Sequence, residues 1–252
     1  MVQLRVVGAL IIREVYTRFG RENLGFAWII AEPLVFALPV LGMWSLIRGK
    51  AEHGLSMMAL LWSGYLPMLL FRHIGSRTLL FVRVNAGLLY HRQVTILDLF
   101  MARALLEILS NLAALIFSFG LLFALGVLDW PRDPPMFYLG YFYMIWWSVS
   151  VGLIIGGLSE RSELVEKIWL PISYMYMAIS GFLYLADWLP RPVRGWALLQ
   201  PSLQSYEMLR AGLFGNTIRT YGDPVYMSLA CAVLTLIGLM LIREARKWVV
   251  TE

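Results

Sequence analysis

Residues 136–158 read MFYLGYFYMIWWSVSVGLIIGGL, an apolar run without one charged residue. A helix rises about 1.5 Å per residue, so about 20 such residues cross the roughly 30 Å hydrocarbon core of a bilayer. The run therefore predicts a membrane-spanning helix, and five stretches of similar character accompany it: residues 27–47, 57–74, 96–125, 168–185 and 225–242. Composition points the same way. With 60% hydrophobic and 15% charged residues and a mean hydropathy of +0.70, the 252 residues cannot cover a water-soluble surface. The expected fold is an all-α polytopic membrane protein, one unit over residues 1–252 with six transmembrane helices and no soluble domain. The third stretch is longer than a span requires and carries Asp98, Arg103 and Glu107 in its first half, so its beginning is expected to project into the cytoplasm.

Ahead of the first span, Leu4 to Trp28 runs LRVVGALIIREVYTRFGRENLGFAW. Leu4, Val7, Gly8, Ile11, Val15 and Phe19 share a helix side, while Arg5 and Arg13 lie off it, which predicts an amphipathic helix within residues 1–26 lying at the membrane interface. Arg18 intrudes on the apolar stripe, so its stem is expected in the interface and its guanidinium on a phosphate or a protein partner. No short apolar core with a small-residue cleavage site precedes Trp28, so the N-terminus is expected in the cytoplasm. On that assignment 14 of the 21 Lys and Arg residues fall on cytoplasmic segments, in keeping with the positive-inside rule and an even number of spans that also returns the C-terminus inside. The pI of 9.4 then needs no nucleic acid. The lone Cys231 forms no intrachain disulfide and reads as a small packing residue.

Missing motifs restrict the chemistry. The single Gly-Lys, Gly49-Lys50, continues into Ala51 where a phosphate-binding loop needs Ser or Thr, so this chain is not expected to hydrolyse ATP. His53, His73 and His91 belong to no zinc-protease or serine-hydrolase pattern, and no catalytic or metal residues are assigned. Acidic residues at mid-membrane in several helices, the mark of an ion-coupled carrier, are absent too. A conduit driven by another protein remains.

The run IIREVYTRFGRENLGFAWIIAEP supplies Arg13-Glu14, Arg18-Phe19-Gly20, Leu24-Gly25, Trp28 and Glu32-Pro33. This resembles the opening signature of type 2 ABC permeases for polysaccharide export. Asn85 through Gly87-Leu88 to Tyr90 and Arg92, Ala102 to Glu107, and Pro201 through Glu207 to Arg210 are similar, in order, to the KpsM-type capsular polysaccharide export permeases. Gln200 departs from the Asn that those permeases tend to have before the Pro.

The resemblance implies a half-transporter in the bacterial inner membrane. Two copies of this chain would form the channel, two separate ATPase subunits would bind below and hold ATP and Mg, and a lipid-linked polysaccharide would be the cargo. A periplasmic co-polymerase-type protein and an outer-membrane exporter are the further implied partners. For ATPase coupling the candidates are Arg83, Asn85, Leu88, Tyr90 and Arg92, in an amphipathic loop over residues 76–95 whose apolar members suit a groove on a partner. The loop over residues 159–167 is either a second contact or simply solvated. The cytoplasmic entrance is assigned to Arg13, Arg18, Glu32, Arg103 and Glu107, with Glu32 or Glu107 expected to pair with Arg103, since ionisable groups at a bilayer margin are costly alone.

Sugar polymers present apolar ring faces, so aromatic side chains suit their passage. Tyr143, Trp146, Trp147, Tyr174 and Tyr176 lie at mid-depth and are the candidate channel residues, helix packing being the alternative for each. Between spans five and six, residues 186–224 form an expected external gate of short gate or re-entrant helices. There Leu203, Tyr206, Leu209 and Leu213 follow Pro201 at helical spacing, Glu207 and Arg210 lie on the same segment, and Gly215-Asn216 ends it. A lipid-surface helix is the other reading of this segment. Export of O-antigen or teichoic acid, small-molecule efflux, and an enzyme acting on lipid-linked sugar are the alternative functions. The last needs a clustered acid, base or metal set that the sequence does not show.

Overall fold

A computed structural model describes residues 2–19, 55–90 and 93–249, together with 31, 34–35, 38–40, 42–43 and 51–52. The expected span 27–47 therefore lies largely outside the described residues, as do Glu32, Arg92 and the side chains of Arg18 and Tyr90. The helices are α1 (Val2–Phe19), α2 (Met57–Arg77), α3 (Phe81–Val84), α4 (Ile96–Ala124), α5 (Pro134–Ser159), α6 (Glu163–Ile179), α7 (Arg191–Ala197), α8 (Pro201–Phe214) and α9 (Pro224–Val249). Ala51–Glu52 pairs antiparallel with Leu55–Ser56 in a minimal hairpin before α2; every other regular element described is helical, so the all-α expectation holds.

Three described helices are long and apolar enough to cross a membrane: Ile96–Ala124, Pro134–Ser159 and Pro224–Ala245. Helix α4 begins where its sequence says it should, because Thr95 accepts from the Asp98 amide while the Asp98 carboxylate accepts from the Thr95 amide. Its 29 residues extend about 43 Å, roughly 13 Å more than the hydrocarbon core. Helix α2 is less apolar but is enclosed by protein along nearly its whole length. A helix surrounded by other helices needs no uniformly apolar surface, and Ser63, Tyr65, Arg72 and His73 are accommodated there.

Helix α6 corrects the expected span 168–185, for it starts at Glu163 and stops at Ile179. The apolar sequence continues to Leu185, but Gly181 adopts a φ of +92° and turns the chain. Helix α5 is the hub of the bundle and packs on α9, α8, α2 and α6, while α1 lies along the first half of α4.

The segment expected to form an external gate folds back into this bundle. Pro201 opens α8 and Gly215, with φ +59°, closes it, as the sequence indicates. Its faces from Ser202 to Arg210 are buried against protein, so the lipid-surface reading is set aside. Contact is close because Gly140 of α5 and Gly212 of α8 each receive the other helix. A Cβ at Gly140 would stand 2.3 Å from Leu209 N, and one at Gly212 would stand 2.2 Å from Phe137 N.

Candidate functional site

At the end expected in the cytoplasm, two loops far apart in sequence are tied together. The Glu160 carboxylate accepts from the amides of Val82 at 2.7 Å and Arg83 at 3.3 Å, and Ser159 Oγ accepts from the Leu80 amide at 3.0 Å. These three donors are the unpaired amides at the start of α3, which a helix always leaves open. The end of α5 thus caps α3. Phe81 and Val82 anchor the same turn in an apolar cluster with Ile96, Leu99, Phe100, Leu153 and Ile242. Burial pushes the Glu160 carboxyl up from its ordinary range, opposed by the two amides and by Arg83 and Arg103.

Of the coupling candidates, Arg83 points outward beside exposed Val84, Leu88 is half-buried on the Phe81 cluster, and Asn85 turns inward. Asn85 Nδ2 donates to Phe81 O at 2.8 Å and its Oδ1 accepts from Arg13 Nη2 at 3.0 Å. Arg13 and Asn85, assigned to different tasks from the sequence, are therefore one junction between α1 and the coupling turn. Arg103 pairs with Glu14 of α1 at 3.3 Å and donates to Arg77 O at 2.8 Å, while Glu107 lies 3.7 Å from Arg77 and 3.6 Å from His73. Gln3 adds a donor to Asp98 at 2.8 Å, so α1 is held along α4 by side-chain bonds as well as by Val15. Leu4, Ile12 and Tyr16 stay exposed on this helix.

The mid-depth rings divide. Tyr143 Oη donates to Pro224 O at 3.0 Å and lies 2.8 Å from Ser228 Oγ, and Trp146 Nε1 donates to Thr235 Oγ1 at 3.0 Å. Both rings thus lock α5 to α9. Trp147 stacks on Phe71 of α2, Tyr176 meets the same ring at a tilt, and Tyr176 Oη donates to Ser202 Oγ of α8 at 2.8 Å. Tyr174 alone among the five is open, 53% exposed. Position along the helix was readable from sequence, but rotation about the helix axis was not. Tyr143→Phe is accordingly expected to cost about 1 kcal/mol in detergent unfolding, the value of one such bond, and to leave transport unchanged; a transport defect at wild-type stability would return Tyr143 to the channel.

The three gate candidates meet in one buried network. Arg210 donates through Nη1 to Gly181 O at 2.8 Å and to Tyr184 O, through Nη2 to Phe182 O, and through Nε to Ser63 Oγ at 3.4 Å. Glu207 accepts from the amides of Ala186 at 2.9 Å and Tyr221 at 3.1 Å. Tyr206 lies fully buried beneath Arg210, 5.3 Å from ring centroid to guanidinium carbon. Helix α8 thereby fixes the turn after α6 and the strand of chain entering α9. Sequence reasoning placed Ser159 and Glu160 in a second contact loop or a solvated one and did not see them as caps on α3, and it missed Ser202, whose acceptor role shows only when α6 and α8 are adjacent. Arg72, counted from sequence among the cytoplasmic cations, sits inside α2.

Comparison with known proteins agrees with this architecture. Residues 5–214 match the ABC-2 type transporter family. The chain is 36% identical over 248 residues to the capsule polysaccharide export inner-membrane protein CtrC of Neisseria meningitidis serogroup B, covering 98% of this chain and 94% of that protein. It is 33% identical over 246 residues to the capsule polysaccharide export inner-membrane protein BexB of Haemophilus influenzae, covering 98% and 93%. The polysialic acid transport protein KpsM of Escherichia coli is 28% identical over 253 residues, covering 100% and 97%. A match of this extent, over helices that pack as one bundle, makes the chain a member of the ABC-2 type transporter family.

Proposed function

We propose that this chain is the permease subunit of an ATP-driven exporter that carries a lipid-anchored, acidic capsular polysaccharide across the bacterial inner membrane. The carrying observation is the end-to-end similarity to CtrC and BexB, each named for capsule polysaccharide export. Two copies would enclose the pathway, with six spans in each and both termini cytoplasmic. Helix α6 supports the pairing, since among its residues only Trp169 and Ser173 are buried and its remaining surface is left for a second copy or the cargo. A separate ATPase pair would hold ATP and Mg and press on the turn at Arg83 and Val84. A periplasmic co-polymerase-type protein and an outer-membrane exporter would continue the route.

In this reading Glu160 transmits the stroke, because it joins the coupling turn to α5 and hence to α8 and α9. Glu160→Ala is expected to leave the Val82 and Arg83 amides unsatisfied, at about 1–3 kcal/mol for each buried donor, and to uncouple ATP hydrolysis from export. Glu160→Gln keeps an acceptor oxygen without a buried charge and is expected to retain most of the coupling. Equal activity of both variants, measured as glycan exported per ATP hydrolysed, would remove Glu160 from the coupling path.

The function itself is tested by deleting the chain and asking whether surface glycan disappears, then by reconstituting export in vesicles. Export is expected only when this chain, a separate ATPase and ATP are all present. A purified chain that chemically converted a glycolipid without the ATPase would overturn the proposal.

A further inference from the structure

Arg72 lies five residues before the end of α2, about 8 Å inside the helix terminus. Its guanidinium carbon stands 3.8 Å from the ring centroid of Tyr174 on α6. Antiparallel packing sets this level, for Trp169 Nε1 donates to Ser76 Oγ at 3.1 Å one step nearer the terminus, and Phe71 meets Tyr176 at 4.9 Å between ring centroids one step deeper. Among the described residues no carboxylate pairs with Arg72, and its buried Nε has no hydrogen-bond partner. The neighbouring His73 and Arg77 turn to the other side of α2 and share Glu107.

The sequence removes the obvious remedies. Residues 54–97, 134–159 and 167–186 contain no Asp or Glu, so neither α2, α5 nor α6 from residue 167 on supplies a carboxylate, and Glu107 of α4 is engaged by His73 and Arg77 on the other side of α2. A cation within a membrane span is costly unless paired. Tyr174 provides a flat apolar backing that suits a guanidinium by cation–π attraction but does not neutralise it. Stacking leaves the edge of the guanidinium plane, where its N–H groups point, for a planar or tetrahedral oxyanion. Tyr174 is also the one open ring of the mid-depth set, so the pair borders the surface left for the pathway.

We propose that Arg72, laid on Tyr174, is an anion-recognition site at the inner mouth of the pathway, which takes a carboxylate or phosphate group carried by the lipid-linked glycan. The inference rests on the permease reading above and adds to it a selectivity element. Acidic cargo would complete the charge balance of α2 on arrival, and neutral cargo would not.

The test uses the full chain with its ATPase in phosphatidylcholine nanodiscs, probed with a sialic acid tetramer, a neutral maltotetraose, and a phosphatidylglycerol that carries only lipid phosphate. Wild type is expected to hold an acidic probe about tenfold more tightly than the neutral one, as one charge-assisted contact implies. Arg72→Gln is expected to abolish that preference, Arg72→Lys to retain part of it, and Tyr174→Phe, which keeps the ring, to retain all of it. Dependence on Arg72 for the sialic acid probe identifies the sugar carboxylate as the ligand, and dependence for phosphatidylglycerol identifies the anchor phosphate. Unchanged preference in Arg72→Gln would overturn the inference, as would separation of the two copies by both Arg72 variants, which would make the residue an assembly contact. Wild-type vesicles that export no glycan would instead defeat the permease reading, whereas export of acidic glycan at wild-type rate by Arg72→Gln defeats only this site.

Discussion

Arg210→Met is expected to destabilise the chain by roughly 3–5 kcal/mol, the range for removing one side of a buried charged network. Arg210 is fully buried and its guanidinium serves the carbonyls of Gly181, Phe182 and Tyr184 at once. Those carbonyls have left the α6 helix at the Gly181 turn, and a buried acceptor without a donor costs its full desolvation. Methionine fills much of the volume and supplies no donor, while it also leaves Glu207 as a buried charge without its cation. Arg210→Lys is expected to recover only a minor part, since an ammonium cannot span three acceptors held by a planar fork. Unfolding of the detergent-solubilised chain reads the stability. Labelling of an introduced Leu183→Cys reads the turn, and the native Cys231 is buried and silent. An unchanged midpoint together with unchanged labelling in Arg210→Met would show that the network holds nothing.

This network also marks where the sequence was legible and where it was not. Helix α8 could be read in advance because its start and stop are local signals, Pro201 and Gly215, with an apolar repeat between them. The start of α4 coincides with the expected stretch at Ile96, and the Thr95 and Asp98 box that sets it depends on residues only three apart. The end of α6 was misplaced for the opposite reason. Phe182, Leu183 and Leu185 continue an apolar pattern past the left-handed Gly181, and the carbonyls that leave the helix there are received by a guanidinium about thirty positions later and by Gly64, whose missing Cβ lets the Phe182 carbonyl approach. Tyr143 and Trp146 were assigned to α5 without a face, because a nearly uniformly apolar helix has little sequence asymmetry to orient it. Their hydroxyl and indole partners lie on α9, some eighty residues away. Local signals thus marked the start and stop of α8, and non-local hydrogen bonds decided which elements meet.

Gly140 and Gly212 carry the second large effect, and here the two substitutions are expected to be less than additive. Each glycine lies where α5 and α8 approach with backbone against side-chain-free surface, as helices in membranes do when small residues let them touch. Gly140→Ala would place a methyl 2.3 Å from Leu209 N, and Gly212→Ala one 2.2 Å from Phe137 N. Backbone atoms cannot swing aside as a side chain can, so each variant must push the helices apart, at the upper end of the about 1–3 kcal/mol seen for overpacking. Once one methyl has opened the crossing, the second meets part of its space already made. The double variant should therefore cost less than the sum by more than the roughly 0.5 kcal/mol expected between independent sites. Separation would also lengthen the reach from Tyr176 to Ser202 and shift the Arg210 fork from its carbonyls, so the export defect should accompany the stability loss. Gly120→Ala is the matched control, for nothing lies within 4 Å of its added methyl, and an interior helical glycine replaced by alanine gains about 0.5–1 kcal/mol. Strictly additive costs at Gly140 and Gly212, or single variants as stable as Gly120→Ala, would mean that α8 is not seated on α5 in the way described.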